Sequence, residues 1–246
     1  GEVERARNTL VEPEVLTEIC HAVTSDADAA IAGELLLAAG MLGARVLLAY
    51  YAHADIGSRS LLRPVLRGMS EHVVAVAALN LRSDDTVAAL ATLSALPDLG
   101  EHRAVAPVAS ALENLDVVVR RHAVTTLADM GGPESRSALA KALGHWDPET
   151  RRWVIREVGR IRAEEAIPAL LRILGDINFF EKNHELKKEV IKCLEAIGSR
   201  DAVPVLDRWS KRRFMIGRKT KELSFLARRA VERLAANGTS EGVDAR

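Results

Sequence analysis

The chain has 246 residues, 48% of them hydrophobic and only 4% aromatic, with 34 basic side chains balanced by 34 acidic ones. A neutral balance argues against a protein that coats nucleic acid along its whole length, and no apolar run is long enough to span a bilayer. No signal-peptide pattern is present, and Cys20 and Cys193 lack any ligand spacing, so both are expected as buried free thiols in a reducing compartment.

Charge is unevenly spread along the chain. Residues 1–115 carry 8 basic against 15 acidic side chains, residues 116–246 carry 26 against 19, and every lysine lies at or beyond Lys141. Such polarity suits end-to-end docking, or an acidic partner for the basic half. The chain begins with Val11, Val15, Leu16 and Ile19 at helical spacing and lacks a polar first cap. With Gly1 reading as a cloning remnant, the expectation is a fragment of a larger protein. Residues 25–43 and 58–81 read as degenerate helix pairs, and 85–100 followed by 102–115 as a clearer one.

From residue 116 the chain repeats itself. Val119, Ala123, Val124 and Leu127 align with Thr150, Val154, Ile155 and Val158, then with Leu186, Val190, Ile191 and Leu194, then with Leu226, Ala230, Val231 and Leu234. An internal period of this size means stacked supersecondary pieces, none able to bury its apolar face alone. Asp116, Asp147 and Asn183 stand three positions before the first apolar site, where a side-chain oxygen accepts the free amides of a helix's first turn. Gly131, Gly198 and Gly238 fall where a left-handed residue closes the last turn, and Arg162 holds that place in the second copy. Second helices follow over 133–143, 164–174 and 201–209, with Pro133, Pro168 and Pro204 in their first turns.

The capped first helix, the cation at its second turn (Arg120, Arg151, Lys187) and the Ala166–Leu171 segment Ala-Ile-Pro-Ala-Leu-Leu together resemble bacterial HEAT-like repeats, of the type first associated with phycobilisome lyases. The resemblance covers 116–211 well and 222–238 fairly. It implies an all-α fold, a right-handed α-solenoid of about seven helix pairs over residues 1–238, followed by a disordered tail at 239–246. It also implies a ladder in which the second-turn arginine of one copy meets the capping acid of its neighbour, ending where Ala227 replaces the cation.

Function is less legible. The copies lie 31, 36 and 40 residues apart, so extra residues fall at 175–182 and 210–221. The first insertion holds Phe179 and Phe180; the second holds Arg212, Arg213, Phe214, Arg218 and Lys219. One period apart, these loops emerge on one edge, where aromatic and basic side chains would form a binding patch. The competing expectation is that the phenylalanines fold back over the helix ends and leave the cations solvated. The same cluster supports a second reading, salt-sensitive binding of nucleic acid or another polyanion by the basic half. Trp146, Asp147, Trp153 and Trp209 invite comparison with HEAT-like DNA glycosylases, but Asp147 is explained by capping and Trp209 by its place at the end of a second helix. HEAT-like iron hydroxylases need repeated His-Glu pairs, and His184-Glu185 is a single one. Neither the close pair His53 and Asp55 nor His122, expected on a surface, forms a ligand set. A bilin lyase remains the namesake of the repeat type, with nothing here aimed at a tetrapyrrole. The expectation is therefore a chain that is not an enzyme and uses no cofactor or metal. It would be a cytoplasmic scaffold or adaptor that binds a protein partner on its concave second-helix surface or through the two basic–aromatic loops.

Overall fold

Short acids set where the helices begin. In the computed structural model, which describes residues 12–100, 102–175, 183–211 and 217–240, Asp85 accepts a hydrogen bond from the Ala88 amide (2.9 Å) and Asp116 one from Val118 (2.7 Å). Asp147 takes the Glu149 and Thr150 amides at 3.3 and 3.1 Å. Ser25 and Asp55 do the same for two earlier helices. Every one of these bonds answers a first-turn N–H that has no intrahelical partner. Asn183 departs from this pattern. It stands at φ −99° and ψ 25°, outside the extended region a capping residue occupies, and its side chain makes no cap bond.

Left-handed residues set where helices end. Gly100 and Gly198 close their helices at φ 70° and 83°. Arg162 takes φ 50° at the corresponding place in the second copy, the one non-glycine with positive φ among the described residues.

The described residues form α-helices and short 3-10 turns and contain no strand, an all-α fold. They divide into two compact units, Gly1–Gly132 and Pro133–Arg246. The first unit holds α1 (Pro13–His21), α2 (Asp26–Ala38), α3 (Met41–His53), α4 (Ile56–Gly68), α5 (Ser70–Asn80), α6 (Thr86–Leu99), α7 (Val105–Ser110) and α8 (Val117–Met130). In it α1, α3, α6 and α8 pack in succession as one layer, and α2 packs on α4 in the other. The second unit holds α9 (Gly132–Ala142), α10 (Pro148–Arg160), α11 (Ile167–Gly175), α12 (His184–Ile197), α13 (Val203–Ser210) and α14 (Arg218–Ser240). Here α10, α12 and α14 form the first-helix layer, with α11 on α12 and α13 on α14. Each unit is thus a stack of helix pairs, the local packing of an α-solenoid.

The apolar columns read from the sequence form the cores of both units. Val124, Ile155 and Ile191 are buried, as are their column neighbours Ala123, Val154 and Val190. The cation column also points inward: Arg120 and Lys187 are buried, and Ala227 fills the same place in α14. Arg120 gives its guanidinium to the Asn114 and Leu115 carbonyls at 2.8 and 2.9 Å. In the last copy the buried set is Leu223, Ala227, Ala230 and Leu234, with Leu226 and Val231 half-buried. That departs from the aligned register because no described helix follows α14 to cover its outer side. The helix also runs on through Gly238 to Ser240, so that glycine does not close it.

Polar ties repeat with the same period. Thr86 donates to Asp116 (2.6 Å), Asn114 to the Leu81 carbonyl (3.3 Å) and Thr126 to the Leu93 carbonyl (3.1 Å). In the second unit Arg156 meets Glu189 (3.1 Å), Lys188 meets Glu222 (2.7 Å) and Arg233 meets Glu195. Each bond joins residues about one repeat apart, most of them helix to counterpart helix, so the register of the stack is fixed by hydrogen bonds as well as by packing.

Candidate functional site

Small residues open a groove in the first unit. α2 contributes Ala30, Gly33 and Leu37, and α4 contributes Leu61, Pro64 and Val65, around about 470 Å³ of space. Gly33 faces Val65 across the groove, where a Cβ would come into ordinary contact, 3.4 Å from a Val65 methyl. Pro64 sits inside α4, where it removes one helical amide and exposes its ring. The only charged side chains on the lip are Asp26 and Glu34. Leu37 on its wall is 48% exposed, and Ile31, elsewhere on the same helix, 61%. Helix α2 therefore presents apolar side chains outward as well as inward, the pattern of a helix with a second face to cover.

Five of the seven residues that the sequence nominated for binding, Phe179, Phe180, Arg212, Arg213 and Phe214, lie outside the described residues. The other two begin α14. Arg218 is exposed, and Lys219 lines a pocket of about 260 Å³ with Arg151 and Arg152 of α10 and His184 of α12. His184 is itself tied into a small network, donating from Nε2 to Glu222 (3.0 Å), with Glu185 3.8 Å away. Lys188 completes it, 2.7 Å from Glu222 and 3.5 Å from Glu185. Hydrogen bonds from Lys188 and then His184 hold the Glu222 carboxyl below the usual range, and Glu222 in turn raises Lys188.

The other candidates resolve into structural roles. Asp55 caps α4, and His122 is exposed. Trp146 stands 67% exposed, whereas Trp209 is buried and donates to the Leu174 carbonyl at 3.0 Å. Burial pushes the thiols up, Cys20 to about 11 and Cys193 to about 12, far from a nucleophile's range. Among the described residues no group of three His, Cys, Asp or Glu side chains is placed to hold a metal ion. No described helix is long and apolar enough to cross a membrane.

Sequence reasoning missed the groove. The only trace it left is α2 itself, whose Ile31 and Leu37 fall off the inward stripe of Ala29, Ala32 and Leu36.

Comparison with known proteins adds the following. A family profile described as HEAT repeats matches residues 74–145 and again 136–213. No curated protein sequence matches. Among solved structures, human deoxyhypusine hydroxylase in complex with glycerol is similar at 20% identity and a TM-score of 0.46, over 94% of this chain and 96% of that one. The Escherichia coli protein YibA is similar at 13% identity and a TM-score of 0.41, over 95% and 97%. The first of these corrects the expectation of a chain that is not an enzyme. An enzyme, deoxyhypusine hydroxylase, is among the structures this chain resembles, so the repeat architecture gives no ground for denying catalysis.

Proposed function

The chain belongs to the HEAT-repeat proteins, and from that premise we propose that it is an interaction scaffold whose first unit takes an apolar, basic-flanked helix of a partner protein into the groove between α2 and α4. One observation carries this reading: an apolar groove lined by only two charged side chains, the acids Asp26 and Glu34, with half-exposed Leu37 on its wall. A helix laid in a groove contributes side chains at positions i, i+3, i+4 and i+7, which suits a furrow between two parallel ridges of small residues. Acids on the lip select a partner with Lys or Arg beside its apolar stripe and raise the rate of encounter. The acidic balance of residues 1–115 supports the same sign of partner.

The test is selection from a library of amphipathic helical peptides on the intact chain, followed by affinity measurement on an Ala30→Glu/Leu37→Glu variant. Both positions are exposed, so the variant is expected to fold as the parent does. The selected peptides should carry basic residues beside an apolar stripe and lose roughly tenfold or more in affinity on the variant. Peptides that bind parent and variant alike would place the interaction elsewhere and overturn the reading.

A further inference from the structure

Resting on the reading of the groove given above, we infer that its occupant is helix α14 of a second copy of this chain, so that copies associate head to tail. The two surfaces match in chemistry and in spacing. On α2, Asp26, Ala30 and Glu34 stand at intervals of four residues, and all three line the groove. On α14, Lys221, Phe225 and Arg229 stand at the same intervals, and all three are exposed. Residues four apart share one face of a helix, and at 1.5 Å per residue the outer members of each triplet lie about 12 Å apart along it. An aromatic ring flanked by two cations therefore meets a methyl-sized floor flanked by two acids. Both ion pairs form whichever way the two helices run.

The α14 face has features of its own that suit this use. Phe225 is 59% exposed, although the inner side of the same helix buries Leu223, Ala227 and Ala230. The Arg229 guanidinium lies 5.8 Å from the centre of the Phe225 ring, so the ring is presented with a cation beside it. Arg228 adds a third positive charge on that side. The acids exposed on α14 are Glu222, which Lys188 and His184 already engage, and Glu232. The excess of acid over residues 1–115 and of base over 116–246 gives the two ends the same complementary signs. Groove and helix are different surfaces of one chain, so the contact is heterologous. Each bound copy leaves one groove and one helix free, and association runs on until a ring of two or more copies closes.

Sedimentation velocity of the full chain from about 1 to 200 μM tests the contact by mass action. The parent should associate reversibly, reach at least twice the chain mass, and associate roughly tenfold more weakly as salt rises from about 0.05 to 0.5 M. Ala30→Glu blocks the groove and Phe225→Glu blocks the helix; both positions are exposed, and each variant should keep the parent's circular dichroism. Alone, each variant should associate roughly tenfold more weakly or worse. Mixed in equal amounts, they should form a complex of one chain each that grows no further, because the Phe225→Glu chain keeps its groove and the Ala30→Glu chain keeps its α14. A groove or a helix face that merely paired with itself would not be rescued by mixing. The proposal is overturned if the parent stays monomeric across the range, if Phe225→Glu associates as the parent does, or if the mixture stays monomeric. Basic amphipathic peptides that then still bind the parent and not Ala30→Glu would leave the groove a helix site, with another protein as its occupant.

Discussion

Lys187 has no exposed surface, and its ammonium lies 5.0 Å from the centre of the Trp209 ring. A lysine at a helix's second turn reads, from sequence, as a cation that meets a neighbour's capping acid. The structure makes it a core residue, with its head against an aromatic face. Trp209 is the hinge of that arrangement because its indole N–H also satisfies the Leu174 carbonyl one repeat earlier. Trp209→Phe keeps most of the apolar volume but deletes the donor and weakens the ring's hold on the cation. Chemical denaturation should show a loss of about 1–3 kcal/mol, the sum expected for an unmatched buried carbonyl and a poorer cation–π partner. A loss below about 0.5 kcal/mol would mean that volume alone matters at this position. Column membership at Lys187 was legible, since its spacing matches Arg120 and Ala227. The inward direction was not, because polarity normally outweighs spacing when one chain is read by itself.

At the level of the element, helix starts were the most legible feature and their one exception the most informative. Asp116 and Asp147 cap as their spacing predicts, since a short acid before an apolar stripe has few other uses, and Asp85 caps its helix in the same way. Asn183 has the same spacing and does not cap, its φ and ψ lying outside the extended region that a capping residue takes. Sequence cannot show this, since a backbone angle depends on the residues leading into the helix. The contrast yields a paired prediction. Asp85→Ala should cost about 1 kcal/mol, the usual value of a lost N-cap, whereas Asn183→Ala should change stability by less than about 0.5 kcal/mol. Urea melts of the two variants beside the parent decide it; equal losses would show that Asn183 caps in solution. The groove between α2 and α4 was illegible for a related reason. Gly33, Ala30 and Pro64 are unremarkable singly, and only the packing of two helices turns their small size into a furrow.

At the scale of the whole molecule, the repeat pattern foretold an all-α stack, yet it is plain only after residue 116, and the first unit had to be read from decayed copies. The energetics of such a stack are local, because each pair contacts only its neighbours. Two features of the chain make that locality measurable. All three tryptophans, Trp146, Trp153 and Trp209, fall in Pro133–Arg246, so tryptophan fluorescence reports on the second unit alone, while far-ultraviolet circular dichroism reports on every helix. Gly43, in the first unit, tolerates no side chain: a Cβ would lie 2.1 Å from the Leu36 carbonyl oxygen, a backbone atom that cannot rotate away. Gly43→Ala must therefore push α2 and α3 apart at a cost of about 1–3 kcal/mol. If each unit is held by its own core, the variant should lose part of its helical signal at lower denaturant, while the fluorescence midpoint stays at the parent's value. The parent itself should show the two probes in closer agreement. A fluorescence midpoint that falls by the same amount as the helical one would mean that the 246 residues unfold as a single cooperative body. Strain at Gly43 would then be felt at Trp209.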